Sequence, residues 1–505
     1  MANSQQAYEN LLRDLHELAL LSSAGSVLQW DEQTQMPAAS AEHRGSQLAL
    51  IARLIHQRLT DPRIGEWLGI LEGSELVKDP HSDAAVNVRE TRREYDRATK
   101  LPSSLVEELA KTAVLAMHAW AEARKQSNFP HFRPWLGKML DLKRDVAKCV
   151  GYSDHPYDAM LDAYEPHETT AGVRKVFETL RAPLVELVGA ICESRRRPDK
   201  SLVERRFPID RQEAFARNAA KAIGFDFEEG RLATSVHPFC SGLGPGDTRM
   251  TTRYDENYFN GAFFGVLHET GHAMYEQGLP KKSHFGQALA DAISLGIHES
   301  QSRMWENLVG RSDAFWAHFW PMAQEAFPES LGNVSRADWV AAINTVEPSF
   351  IRVEADETTY NLHILIRFEL ETAMMEGQLQ PNDIPGAWNE KYRKYLGITP
   401  QNDAEGCLQD VHWSHGLLGY FPTYTLGNLY ASQFFEQAGS ELGDLAPMFA
   451  RGEFAPLLSW LREKIHKHGK RYTAAQLVQN VTGRPLSAEP LLRHLRNRAR
   501  EVYGV

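Results

Sequence analysis

Two histidines four residues apart bracket a glutamate in His268-Glu269-Thr270-Gly271-His272. On a helix, positions i and i+4 share a face, so both imidazoles reach one metal ion. Glu269 lies one residue round, near enough to touch a metal-bound water without being a ligand. A catalytic zinc needs three protein ligands and one open position. His298-Glu299-Ser300, further along the chain, offers the third. Glu299 would complete a His₂Glu set, and His298 is its rival. A histidine third ligand normally follows sooner, in H-E-x-x-H-x-x-G-x-x-H. That pattern is met only in part here, and Leu279 to Lys282 offers no histidine. Glu299 is therefore the expected ligand, with His298 a packed or hydrogen-bonding neighbour. The bland alternative is a helix that carries two histidines by accident.

These residues need two helices to hold them. Tyr258 to Gln277 reads as one, with Phe259, Phe263, Val266 and Leu267 as an apolar flank and Gly278 and Pro280 as its stop. Gly271 inside it costs about 1 kcal/mol against alanine, which hints at close approach by another backbone or a ligand. Phe285 to Leu308 reads as the second helix. Between Arg231 and Tyr254, Val236 with Phe239 and the Thr/Arg/Met alternation after Asp247 read as two short strands, with Gly242, Gly244, Pro245 and Gly246 between them as a turn cluster.

Helical periodicity dominates elsewhere. It runs over Tyr8–Leu21, over Leu48–Leu59 up to Asp61-Pro62, and over Leu105–Arg124. Pro134 and Pro166 punctuate two more stretches, and Pro321, Pro328, Pro348 and Pro381 break those after Gly310. Ala474–Val505 is helical and basic. Its Arg484, Arg493, Arg496, Arg498 and Arg500 read as a solvated face rather than an RNA contact. The expected fold is mainly α with one small sheet. No internal repeat, phosphate-binding loop, dinucleotide fingerprint or nucleophile elbow occurs.

At 505 residues, length alone suggests about three domains. Apolar residues at 43% and charged residues at 24% exclude disorder. A formal net charge of −11 argues against a nucleic-acid binder and against an anionic-membrane binder. No apolar run approaches the length of a membrane span. Cys149, Cys192, Cys240 and Cys407 form no C-x-x-C pair, which fits a reducing compartment. Asp14, His16 and Glu17 interrupt the one apolar run near the start, so no signal peptide is read and a cytoplasmic location is expected.

Further motifs carry a resemblance. They are Trp30-Asp31-Glu32-Gln33-Thr34-Gln35-Met36-Pro37, Gly151-Tyr152 with Tyr157-Asp158, and His237-Pro238-Phe239. Then follow Asp247-Thr248-Arg249-Met250-Thr251 (D-x-R-x-T), His298-Glu299-Ser300-Gln301, Ile351 to Asp356 (I-R-x-x-A-D) and Gly406 to Trp413 (G-x-x-Q-D-x-H-W). With H-E-x-x-H they resemble, in order and along the whole chain, the carboxypeptidase Taq family of zinc metallopeptidases. The resemblance implies a two-lobed helical fold like that of neurolysin and angiotensin-converting enzyme. A deep groove would separate the lobes, with zinc at its floor and the small sheet beside the active site. Residues 1–505 would form a single catalytic domain whose lobes the sequence does not separate. It further implies homodimers that release single residues from peptide C-termini, with broad preference and poor action before proline. One Zn²⁺ per chain is implied, with other divalent metals such as Co²⁺ able to substitute.

An exopeptidase must recognise a free carboxylate, and arginine does so best through its bidentate fork. A lone arginine is usually a structural salt bridge. With the resemblance, Arg352 is the expected carboxylate anchor. Arg249, on the small sheet, would limit the groove or bind substrate backbone. Asp247 and Asp356 are expected to hold these arginines. His237 and Tyr424 are further substrate-binding candidates. His412 and Tyr420 would stabilise the oxyanion, with Gly416 and Gly419 allowing the chain to bend between them. In this reading His268, His272 and Glu299 hold zinc, and Glu269 moves the proton. A zinc endopeptidase or oligopeptidase of the same fold is the alternative. A non-catalytic zinc protein is the more distant one, since structural zinc has no use for an unligated glutamate.

Overall fold

The computed structural model describes residues 2–505. The chain forms two compact units, not the three or so that length suggests. One unit comprises the residues up to Thr99, Asp199–Ile343 and Phe434–Pro485. The other comprises Lys100–Pro198, Asn344–Gln433 and Leu486–Val505. Each is assembled from three separate stretches, so no linker in the sequence marks a boundary. Among the described residues, no helix is long and apolar enough to cross a membrane.

The first unit opens with helix Ala2–Thr34, longer than the periodicity suggests, and helix Ala41–Leu59. Ala7, Leu11 and Leu15 pack with Ile64, Leu68, Leu71 and Val88. The H-E-x-x-H helix spans Phe259–Gly278. Phe259 and Phe263 share one face and enter an aromatic core with Phe215 and Trp316, ring centroids 5.0–6.3 Å apart. That core fixes the N-terminal half of the helix.

The sheet has three strands, not two: β1 (Gly230–Thr234), β2 (Cys240–Gly244) and β3 (Asp247–Thr252), in the order β1-β3-β2. β2 and β3 form a hairpin, irregular at Gly242/Gly244 and turning through Gly246 at φ +74°. The strand expected at Val236 and Phe239 begins only at Cys240, so Gly242 and Gly244 lie within β2 rather than in the turn. β1 joins β3 in parallel, with Arg231 opposite Arg249. A parallel partner arrives by a crossover and leaves no hairpin signal in the sequence. The sheet packs on the H-E-x-x-H helix, with Thr270 Oγ1 3.5 Å from Met250 Sδ.

The helix expected from Phe285 starts only at Leu295 and ends at Arg303, continuing as a π-helical turn over Met304–Val309. Gly286 sits at φ +84° against the backbone of His16, where a Cβ would come within 2.8 Å of the His16 Cα. Ser294 then caps the helix by accepting from the Ile297 N–H at 3.0 Å. Two of the expected proline breaks do not occur. Pro134 lies inside Phe129–Val150 and Pro321 inside Asp313–Ala326. Burial of Phe132, Leu136, Met139 and Leu140 on the first, and of Phe315, Trp316, Phe319 and Trp320 on the second, outweighs the one lost hydrogen bond.

In the second unit, helix Glu357–Glu376 is buried on all sides, including Arg367 and Glu371. Such a helix is a core element, and its ionisable side chains need partners. The basic C-terminal stretch is two helices, Ala474–Thr482 and Glu489–Tyr503, parted at Gly483 (φ +72°). Arg493, Arg496 and Arg500 are exposed, as a solvated face requires, whereas Arg498 is buried.

Candidate functional site

In the first unit, His268, His272 and Glu299 place one ligand atom each within 4.8 Å of one another. Glu299 Oε2 lies 3.6 Å from His268 Nε2 and 3.3 Å from His272 Nε2. The other ring nitrogens are held. His268 Nδ1 donates to Glu306 Oε2 at 2.8 Å, and His272 Nδ1 faces the His298 carbonyl at 3.1 Å. Such outer hydrogen bonds fix the tautomer that leaves Nε2 for a metal. The donor set and its orientation therefore fit a divalent metal ion. His298 is not part of the set but stands behind His272. Its Nδ1 lies 2.5 Å from His272 Nδ1, and its Nε2 pairs with Glu276 Oε1 at 2.7 Å.

Gly271 has the close neighbour that its cost implies. A Cβ there would come within 2.5 Å of Gln301 O and 2.6 Å of Ser302 Cα, so the helix bearing Glu299 docks directly on the motif. Glu269 is buried, and burial pushes its carboxyl up to about 7. That is the range a general base needs near neutral pH. Burial would likewise raise Glu299, but Arg303, His268 and His272 hold it well below the usual carboxylate range. Burial also drives His272 down to about 4, the neutral form that binds metals.

His268 behaves differently. Burial lowers its pKa, but Glu299 and Glu306 outweigh it and raise it to about 8. An entering metal ion must displace that proton. Zinc uptake by metal-free protein should therefore strengthen about tenfold per pH unit up to about pH 8 and level off above it. Competition with a chelator across pH 6–9 measures this, and a flat profile would contradict it.

The second unit gathers another set. Arg352 is 5% exposed. Its Nε donates to Asp410 Oδ1 at 3.0 Å and its Nη1 to the Tyr360 hydroxyl at 2.8 Å. Arg367 donates to Asp410 Oδ2 at 2.7 Å and to Gln409 Oε1 at 2.8 Å. The Tyr424 ring lies 5.2 Å from the Arg352 guanidinium and 5.4 Å from the Tyr420 ring. Tyr420 lies 5.5 Å from His412, whose buried Nδ1 has no partner among the described residues. Burial lowers His412 to about 4, so its ring is neutral at pH 7. Gly416 (φ +68°) and Gly419 (φ +88°) make the bends expected of them.

The sequence reading is corrected at one pairing. Asp356 does not hold Arg352. It caps helix Glu357–Glu376, accepting from the Thr358 and Thr359 N–H groups. Asp410 takes its place. Asp247 does hold Arg249, by two bonds of 2.8 Å, and that guanidinium also lies 4.7 Å over the Trp30 ring. His237 is exposed on the connection between β1 and β2. Several residues of these networks carry no role in the sequence reading, among them Arg303, Glu306, Arg367 and Asp410. Glu299, Arg303 and Glu306 do repeat at helical spacing, a signal that could have found two of them. Asp410 and Arg367 lie 43 residues apart and leave no such trace.

Fold and site together define a mainly helical protein with a candidate metal centre of two histidines and a glutamate. A model of the family described as carboxypeptidase Taq (M32) metallopeptidase matches residues 10–499, and the chain belongs to that family. It is 51% identical to thermostable carboxypeptidase 1 of Thermus thermophilus, covering 99% of both chains. It is 39% identical to carboxypeptidase 1 of Bacillus subtilis, covering 98% of this chain and 99% of that one. The crystal structure of the M32 carboxypeptidase from Deinococcus radiodurans, 39% identical, superposes with a TM-score of 0.95 over 99% of this chain and 100% of that one.

Proposed function

We propose that this chain is a zinc-dependent metallocarboxypeptidase. It removes single residues from the free C-termini of peptides, with broad preference and poor action before proline, as a cytoplasmic homodimer. The observation that carries this reading is the convergence of His268, His272 and Glu299 beside an unligated, buried Glu269. Bound there, zinc would polarise the scissile carbonyl and make water acidic enough to attack at neutral pH. His268, His272 and Glu299 would hold the ion. Glu269 accepts the proton of the attacking water at its carboxylate and passes it to the leaving nitrogen. Tyr420 and the neutral ring of His412 donate to the developing oxyanion. Arg352, braced by Asp410, pairs with the terminal carboxylate. Arg249, His237 and Tyr424 contact the substrate chain. Family membership supports the reaction class, and the side-chain networks support the assignment of roles.

Matched free-acid and C-terminally amidated peptides test the exopeptidase claim. The parent should cleave the free acids one residue from the end and leave the amides nearly untouched. Arg352→Ala should lower kcat/KM for the free acids about 10- to 100-fold, the scale of a hydrogen bond to a charged group. It should leave the amides unchanged. Arg367 still neutralises Asp410 in this variant, so the fold should survive. Equal cleavage of both peptide forms by the parent would establish the endopeptidase alternative instead.

A further inference from the structure

We propose that Arg303 and the π-helical turn Met304–Val309 form a positioning device for the metal centre. Glu306 fixes the ring of His268, and Arg303 holds Glu299 so that one carboxylate oxygen alone faces the two imidazoles. The inference rests on the ligand assignment above. A six-residue π-helical run is rare, and such turns gather at functional sites. Here Met304, Trp305, Leu308 and Val309 are buried, so the core locks the register of the turn. That register delivers Glu306 Oε2 to His268 Nδ1 at 2.8 Å. A carboxylate only accepts, so Nδ1 carries the proton and Nε2 is left for the metal.

Arg303 links the two glutamates. Its Nε donates to Glu299 Oε1 at 2.7 Å and its Nη1 to Glu306 Oε2 at 3.2 Å. Glu299 Oε1 is thereby occupied, and Oε2 is the oxygen near both Nε2 atoms. Ser302 Oγ adds a contact to Oε2 at 3.0 Å. A glutamate that ligates through both oxygens would take up a position that water or the peptide carbonyl needs. One that ligates through a single oxygen keeps it open. Arg311 completes the brace, 3.8 Å from Glu306 Oε1 and 3.8 Å from the Phe264 ring centre. Arg303 and Glu306 are positioning residues, acting through Glu299 and His268.

The test uses full-length protein stripped of metal, titrated with Zn²⁺ against a chelator and separately with Co²⁺. The parent should bind one Zn²⁺ per chain. Glu306→Leu should weaken zinc binding about 10- to 100-fold, the usual effect of losing an outer-shell partner. Glu306→Gln should lose less, because its amide oxygen still accepts from Nδ1. Arg303→Met should weaken the visible Co²⁺ absorption as both Glu299 oxygens engage and coordination rises, and Arg303→Lys should restore part of it. If Arg303→Met does not fold, Arg303→Lys decides the case, since its single point charge should still shift the band. Folded variants with zinc affinity within about twofold of the parent and an unchanged Co²⁺ spectrum would overturn the inference. A parent that binds no zinc would instead overturn the ligand assignment itself, so the two failures are told apart.

Discussion

Glu269→Gln should retain one zinc per chain and the parental fold, yet lose about 10²–10⁴-fold in turnover, the range of general acid–base catalysis. The side chain is isosteric, so packing around it is kept. The amide cannot accept the proton of the attacking water. Glu269 is not among the residues grouped to hold the metal, so the zinc content of the variant should match the parent. Turnover and metal analysis on the same preparation make the check. Near-parental turnover with an intact metal site would remove Glu269 from the mechanism. A loss of zinc together with activity would make it a structural support of the site rather than a base.

Tyr420→Phe should lower kcat by about 10²-fold or somewhat more, as removal of one oxyanion donor does elsewhere. A donor aimed at charge that exists only in the transition state does not help substrate binding, so KM should barely move. Zinc content should stay the same. Tyr424→Phe is the control. Its ring lies 5.4 Å from that of Tyr420 and also beside Arg352, which favours a contact with the substrate carboxylate. Its loss should therefore appear in KM for free-acid peptides. If Tyr424→Phe carries the kcat loss and Tyr420→Phe does not, the oxyanion contact belongs four residues further along. If neither variant loses kcat, both rings are packing, and the charge must rest on the metal and the neutral ring of His412.

Much of the site was legible because it is local. The four-residue interval from His268 to His272 fixes a shared helical face before any tertiary contact forms. The glycine between them, costly in a helix, announced the close backbone that Gln301 and Ser302 supply. Pro245-Gly246 marked the β2–β3 turn for the same reason, since hairpin turns need particular residues at particular places, whereas Gly242 and Gly244 belong to β2 itself. Motifs in order along the chain then pointed to the family.

What the sequence left open is what distance along the chain conceals. Asp410 meets Arg352 across 58 residues, and only packing could show that it, and not the nearer Asp356, neutralises that arginine. Asp356 had a competing use two and three residues away, at the free N–H groups of Thr358 and Thr359 that open the helix. The second helix began late because Gly286 is needed against His16, a contact between stretches 270 residues apart that no periodicity encodes. The π-helical turn reads as ordinary helix in the sequence, for its hydrogen-bond register is set by how Trp305 and its neighbours are buried. Each unit is drawn from three separate stretches of the chain, so no single point in the sequence divides them. Residue types and short spacings thus determined the chemistry this chain can do. The tertiary structure decided which charged groups hold those residues in place, because burying a charge requires a partner wherever in the chain that partner lies.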